Sequence, residues 1–250
     1  MSSEESNKMS KKTPSQDSNF ENPRPEEEIA WDIEEMKRAI RDSADDYDKL
    51  VGGWMFEKLI YVYKNSLSES FCNEVIEKFD RDPRKSDGIV NQNNPTVKKD
   101  VKDTKDLNIT GLLDWVGEDQ IFFNALTVGL ENYKSYLESI HIKCHPKYDY
   151  DMEDGGYKIQ KYEPFGFYDW HNDWNMTNKG SRVFVFMWYL NTIEEKDEGY
   201  TEFFDGTRLQ PECGNLVFFP ATWTYVHRGK APKVPKYIAN GWIYSKPKNT

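Results

Sequence analysis

A chain of 250 residues can bury one good core, and its 15% share of Phe, Trp and Tyr favours strands over a helical bundle. The 43 acidic against 33 basic residues give a net charge of -10, which makes nucleic acid an unlikely partner because affinity for a phosphate backbone comes from Lys and Arg. Cys72, Cys144 and Cys213 are odd in number and too scattered for a disulfide framework, no apolar run is long enough to span a membrane, and the first twenty residues carry no signal-peptide segment, so the expected setting is cytoplasmic or otherwise intracellular.

Residues 1–28 hold only Met1, Met9 and Phe20 as large apolar side chains and are expected to form a disordered tail. The remainder, 29–250, is expected to be a single domain, with a helical support and lid region at 29–155 and a strand-rich core at 156–244. Ile29, Ile33, Met36 and Ile40 recur at helical spacing over 29–51, before Gly52-Gly53 interrupts. Ile60 to Tyr63 reads as a strand. Ser68 is placed to cap a helix whose stripe is Phe71, Cys72, Val75, Ile76 and Phe79. From Arg81 to Asp106 the chain is polar, with its strongest turn signal at Asn91 to Pro95. A connection of this length is either a solvated excursion or a functional loop.

Residues 114–140 read as a helix, with possible breaks at Gly117 or Gly129, presenting Ile121, Phe122, Ala125, Leu126, Leu130, Tyr133, Tyr136 and Leu137. His141 and His145 are four apart, but Pro146 and the lack of a fitting carboxylate argue against a metal pair. A succession of short strands then follows. Tyr157 to Tyr162 leads to a turn at Pro164 to Gly166, Val183 to Leu190 is apolar on both faces, Leu216 to Phe219 ends at Pro220, and a last strand starts at Lys236.

The chemistry-bearing residues sit in this last third. In His171-Asn172-Asp173 the first and third residues share a strand face and offer an imidazole and a carboxylate to one ion. His227 lies 54 residues beyond Asp173. Two histidines and one carboxylate with positions left open are the ligand set of a non-haem Fe(II) oxygenase. Strand parity also aligns Lys236 with Ile238, Asn240 and Trp242, and a lysine in that company needs an anionic partner, for which a ligand carboxylate is the candidate. Tyr162, nine residues before His171, is placed to donate to the same carboxylate.

Residues 156–244 resemble the catalytic core of the 2-oxoglutarate and Fe(II)-dependent dioxygenases, and within them the prolyl 4-hydroxylase-like group; from about 58 to 155 the likeness is weaker. The resemblance implies a mainly β fold with flanking helices, a double-stranded β-helix or jelly-roll barrel. It implies iron on His171, Asp173 and His227, and the distal carboxylate of 2-oxoglutarate on Lys236 and Tyr162. It also implies Trp242 on the iron side of the pocket, Arg182 near the substrate entrance, O2 as the oxidant and ascorbate as reductant. The implied reaction hydroxylates an unactivated C–H bond, with peptidyl proline the leading substrate, and releases succinate and CO2. Tyr168, Trp170, Trp174 and Trp242 are the aromatic surfaces available to a proline ring, and the polar segment 81–106 corresponds to loops that close over substrate.

Two departures stand out. The family writes Gly-Gly-Glu-Thr-x-Phe where this chain has Glu198-Gly199-Tyr200-Thr201-Glu202-Phe203, which keeps Gly199, Thr201 and Phe203 and puts Tyr200 at the expected entrance. The spacing from His227 to Lys236 is one residue shorter than usual. A free amino acid or other small molecule is the alternative substrate. A different metal-binding jelly roll and a catalytically silent binding domain are the competing classes.

Overall fold

The computed structural model describes residues 59–90, 95–140, 150–177 and 180–247. The expected tail, the helix at 29–51, most of the Asn91 to Pro95 turn, Cys144, and the His141 and His145 pair lie outside them.

The first strand, β1 (Tyr61–Tyr63), is followed by helix α1 (Glu69–Arg81). Ser68 caps that helix by accepting from the Phe71 N–H at 3.3 Å, and the stripe Phe71, Cys72, Val75 and Phe79 is buried as its spacing requires. The polar segment holds four short strands, β2 (Ser86–Asp87), β3 (Ile89–Val90), β4 (Thr96–Val97) and β5 (Lys105–Asn108). A 3-10 turn at Leu113–Trp115 leads into α2 (Val116–Ser139), which runs through both glycines without a break. Gly129 serves packing instead: a Cβ there would meet Leu216 Cδ2 at 2.4 Å, so its absence lets the helix lie close on the sheet.

Then come β6 (Tyr150–Asp154), β7 (Lys158–Tyr162), β8 (Tyr168–His171), β9 (Met176–Thr177), β10 (Gly180–Tyr189), β11 (Thr201–Phe203), β12 (Arg208–Leu209), β13 (Leu216–Pro220), β14 (His227–Gly229) and β15 (Lys236–Pro247). Among the described residues these pair antiparallel into a major sheet of nine strands, with path β1-β13-β10-β15-β7-β5-β2 and with β6 on β15 and β9 on β10. A minor sheet runs β12-β11-β14-β8, and β3-β4 stand as a separate ribbon.

Alternation along the long central strands builds two cores. Phe186 and Trp188 of β10, with Phe218 of β13 and Ala239 of β15, face the helices and pack with Phe79, Phe122 and Tyr133. Val185, Met187 and Tyr189 point the other way and join Val217, Phe219 and Ile238 against Phe203 of the minor sheet. The functional cavity lies on this second side.

The expected double-stranded β-helix barrel is not what forms; the fold is a mixed β/α arrangement of open sheets. Both larger sheets end on edge strands, β1 and β2 in one and β12 and β8 in the other, and no ladder among the described residues joins them. The physical reason is that the chain changes sheet through loops, at 163–167, 172–175, 190–200, 210–215, 221–226 and 230–235, so no strand is shared by both. Within 190–200, Gly199 (φ 72°) adopts a left-handed conformation that ends the approach to β11. No helix among the described residues is long and apolar enough to cross a membrane.

Candidate active site

A cavity of about 340 Å³ opens between the two larger sheets. Its minor-sheet wall carries the three expected ligands. Antiparallel pairing of β8 with β14 sets His171 directly opposite His227, and Asp173 follows in the loop two residues on. The imidazole centroids are 4.3 Å apart, His227 Nε2 lies 3.5 Å from Asp173 Oδ2, and the donor atoms of all three residues fall within 4.8 Å of one another.

The backbone fixes both imidazoles in the tautomer a metal needs. His171 Nδ1 donates to the Asp169 carbonyl at 2.7 Å and His227 Nδ1 to the Tyr225 carbonyl at 3.0 Å. A carbonyl only accepts, so each Nδ1 carries a proton, which leaves Nε2 of the neutral ring as the nitrogen with a free lone pair. Burial, with His227 beside it, pushes His171 down to about 3, so it is a neutral ligand at physiological pH. Burial alone would raise the Asp173 carboxyl, yet His227, His171, Arg182 and Lys158 together hold it below the usual carboxylate range. Tyr168 stacks on His171 with centroids 3.5 Å apart, and Phe219 packs edge-on against His227 at 4.8 Å. Two imidazole nitrogens and one carboxylate oxygen, facing a cavity, fit a divalent metal with open positions.

The opposite wall carries the expected anchor. In the β7–β15 ladder Lys236 pairs with Tyr162. Lys236 is 1% exposed; its ammonium donates to the Gly199 carbonyl at 2.8 Å and lies 4.3 Å from the centre of the Tyr162 ring. No carboxylate among the described residues comes within ion-pair distance of it. Burial pushes this ammonium down to about 7, as expected of a cation that lacks a counter-charge. Gly229 makes room for the tyrosine, since a Cβ there would stand 3.1 Å from the Tyr162 hydroxyl.

The model of the 2OG-Fe(II) oxygenase superfamily matches residues 157–244, the segment that carries all five of these side chains. This segment is a 2OG-Fe(II) oxygenase superfamily domain. It is a 2-oxoglutarate and Fe(II)-dependent dioxygenase with a His-Asp-His facial triad. A search of curated proteins found no match. Among solved structures, the 2-oxoglutarate complex of a viral collagen prolyl hydroxylase from Paramecium bursaria Chlorella virus-1 is similar at 20% identity, with 74% of this chain and 95% of that chain covered and a TM-score of 0.53. A Pseudomonas putida prolyl-4-hydroxylase is similar at 18% identity, with coverage of 74% and 92% and a TM-score of 0.52. A Trichoplax adhaerens prolyl hydroxylase, in complex with a hypoxia inducible factor oxygen degradation domain peptide fragment, is similar at 15% identity, with coverage of 86% and 92% and a TM-score of 0.58. At these identities the likeness is one of fold.

The other expected residues of this dioxygenase divide between the cavity and the surface. Trp242, Tyr168, Trp174 and Thr201 line the cavity. Arg182 also lines it, stacked 3.6 Å over Trp242 and bonded to the Tyr244 hydroxyl at 3.1 Å and the Asp173 carbonyl at 3.2 Å. Thr201 accepts from the Tyr189 hydroxyl at 2.8 Å and so belongs to the wall. Trp170 instead lies on the outer face with Arg228 and Phe204, and Tyr200 stacks with Arg208 and does not reach the cavity.

Sequence reasoning missed a polar cluster on the same wall. Lys102, Thr104 and Asp106 are 2%, 4% and 6% exposed, and Gln160 and Lys158 from β7 complete the group. Both sets alternate in sequence, as Lys102-x-Thr104-x-Asp106 and Lys158-x-Gln160-x-Tyr162, which is the strand signal that would have placed them on one face.

Proposed function

We propose that Fe(II) is held by His171, Asp173 and His227, that the distal carboxylate of 2-oxoglutarate is held by Lys236 with Tyr162, and that the substrate is a peptidyl proline. The observation that carries the co-substrate reading is the Lys236 ammonium, buried in the wall of the triad's cavity with one carbonyl and one aromatic face for partners. A ligand carboxylate supplies the missing counter-charge. Tyr162 stands opposite it in register and offers a phenolic donor.

When bound, iron with 2-oxoglutarate and O2 supplies the oxidising chemistry that hydroxylates the C–H bond and yields succinate and CO2, with ascorbate as the reductant that keeps the metal ferrous. The protein's own part is positioning. The two carbonyl-bound imidazoles keep their Nε2 atoms aimed at one point. Arg182 ties down the backbone of Asp173. Met187, Val185 and Phe219 keep the cavity apolar around the reacting centre. Trp242, Tyr168 and Trp174 present aromatic surface suited to a proline ring, and Ile89 of the β3–β4 ribbon reaches the same cavity from the segment expected to close over substrate.

The test is anaerobic reconstitution with Fe(II), then 2-oxoglutarate, O2 and ascorbate with proline-rich peptides and free proline in parallel. Succinate release together with a one-oxygen mass gain on a peptidyl proline is expected. Hydroxylation that maps to another residue, or succinate release driven only by free amino acids, would replace the peptidyl-proline reading.

A further inference from the structure

The cavity has a second cationic end that neither the triad nor the Lys236 anchor uses. In the β7–β15 ladder Tyr162 faces Lys236 at one end and Lys158 faces Asn240 at the other. Four residues of strand separate the two ends by about 13 Å. Lys158 Nζ sits 3.7 Å from Asp106 Oδ2, outside hydrogen-bond reach. That carboxylate is already engaged: Lys102 donates to Oδ2 at 2.7 Å, Thr104 to Oδ1 at 2.7 Å, and Gln160 approaches both oxygens at 2.9 Å. Two lysines therefore share the Asp106 carboxylate, and the other carboxylate that acts on Lys158, Asp173, belongs to the triad and lies beyond ion-pair distance of it.

The Lys158 ammonium donates no hydrogen bond to any described residue. Its ammonium lies 5.1 Å from the centre of the Trp242 ring. Trp242 Nε1 and Asn240 Oδ1 are themselves buried without a hydrogen-bond partner. Burial, with Lys102 nearby, pushes Lys158 down to about 8. A part-buried cation beside an unpaired indole N–H costs free energy that an anionic ligand would recover, while Asn240 Oδ1 can be satisfied only by a ligand N–H or O–H.

We propose that Lys158, with the Trp242 indole N–H, recognises a carboxylate on the hydroxylation substrate, at the end of the cavity opposite the co-substrate anchor. This inference rests on the site reading above and narrows its substrate class. The carboxylate is either the C-terminus of a short substrate or an acidic side chain next to the hydroxylated residue.

The experiment is calorimetric titration of oxygen-free protein loaded with Mn(II) and 2-oxoglutarate. The ligands are N-acetylproline against N-acetylprolinamide, and amidated acetyl-Pro-Asp against acetyl-Pro-Asn. In one pair the carboxylate member is expected to bind about tenfold or more tightly than its amide partner, and that pair names the source. Lys158→Met is expected to abolish the preference, Lys158→Arg to keep most of it, and both to bind 2-oxoglutarate as the parent does. Equal binding within both pairs, survival of the preference in Lys158→Met, failure of every ligand to bind, or a tenfold loss of 2-oxoglutarate affinity in Lys158→Met would each overturn the proposal. N-acetylglycine separates this failure from failure of the proline reading. If it binds as tightly as N-acetylproline and loses affinity in Lys158→Met, the carboxylate site stands without the proline. Ring-bearing ligands that bind regardless of charge would leave the proline reading without the carboxylate site.

Discussion

Lys236 and Tyr162 stand opposite each other across the β7–β15 ladder, with the lysine ammonium 4.3 Å from the centre of the tyrosine ring. The two side chains thus converge from neighbouring strands on one corner of the cavity, and they contribute unequally. A charge-assisted hydrogen bond in a poorly hydrated site is worth about 1.5–3 kcal/mol, or about ten- to a hundredfold in affinity. Lys236→Ala is expected to weaken 2-oxoglutarate binding by that factor while leaving metal affinity close to the parent's. Tyr162→Phe removes a neutral donor, worth about 0.5–1.5 kcal/mol, and is expected to cost about tenfold at most. Anaerobic titration of 2-oxoglutarate into metal-loaded protein checks both, and an unchanged affinity in Lys236→Ala would move the anchor elsewhere.

The triad predicts a different pattern. His171→Ala or His227→Ala removes one of two prearranged nitrogens, and each is expected to weaken Fe(II) or Mn(II) binding by at least about tenfold under anaerobic titration. Asp173→Asn keeps the shape but removes the anion that offsets the metal, so a comparable loss is expected. Parent-like metal affinity in both histidine variants would show that the ion binds elsewhere.

Much of this site was legible because strand parity is a local property. Parity alone put Lys236, Ile238, Asn240 and Trp242 on one face, and all four line the cavity; His171 and Asp173 line it too, but β8 ends at His171 and it is the loop, not a shared strand face, that brings Asp173 beside it. The Ser68 cap and the α1 stripe were legible for the same reason. What was missed depends on long-range pairing. Lys102, Thr104 and Asp106 read as part of a polar connection because the residues that meet them are distant in sequence: Gln160 is 54 residues downstream of Asp106, and Lys102 bridges to Tyr168. Sheet closure is likewise set by how separate strands meet, and the run of short strands did not reveal that each crossing would be made by a loop. Gly129 looked like a break because helix propensity says nothing of the Leu216 side chain that needs its space.

The core on the helical side offers a stability prediction that leaves the site alone. Phe122 is fully buried and touches Phe71, Tyr157 and Trp188, with centroids 5.4, 5.6 and 5.2 Å away. Phe122→Ala leaves a cavity among rigid aromatic neighbours and is expected to cost about 3–5 kcal/mol, read from the denaturant midpoint. None of these rings lines the functional cavity, so the folded fraction is expected to bind metal as the parent does.

The Lys236 ammonium gives co-substrate binding a defined dependence on pH. Burial lowers it from the ordinary 10.5 to about 7 in the ligand-free cavity. A bound carboxylate favours the charged form and raises it again. Below pH 7 the lysine is already protonated, and binding takes up no proton there. Above pH 7 the free protein has lost that proton and must regain it to hold the anion, so affinity is expected to fall with rising pH, approaching tenfold per unit. Calorimetry in buffers of different ionisation enthalpy is expected to show close to one proton taken up per 2-oxoglutarate at pH 8 and almost none at pH 6. Lys236→Arg tests the assignment, because a guanidinium stays charged across this range. Its proton uptake at pH 8 is expected to vanish, whatever the change of side-chain shape does to the absolute affinity. Uptake that persists in Lys236→Arg would assign the titrating group to another residue.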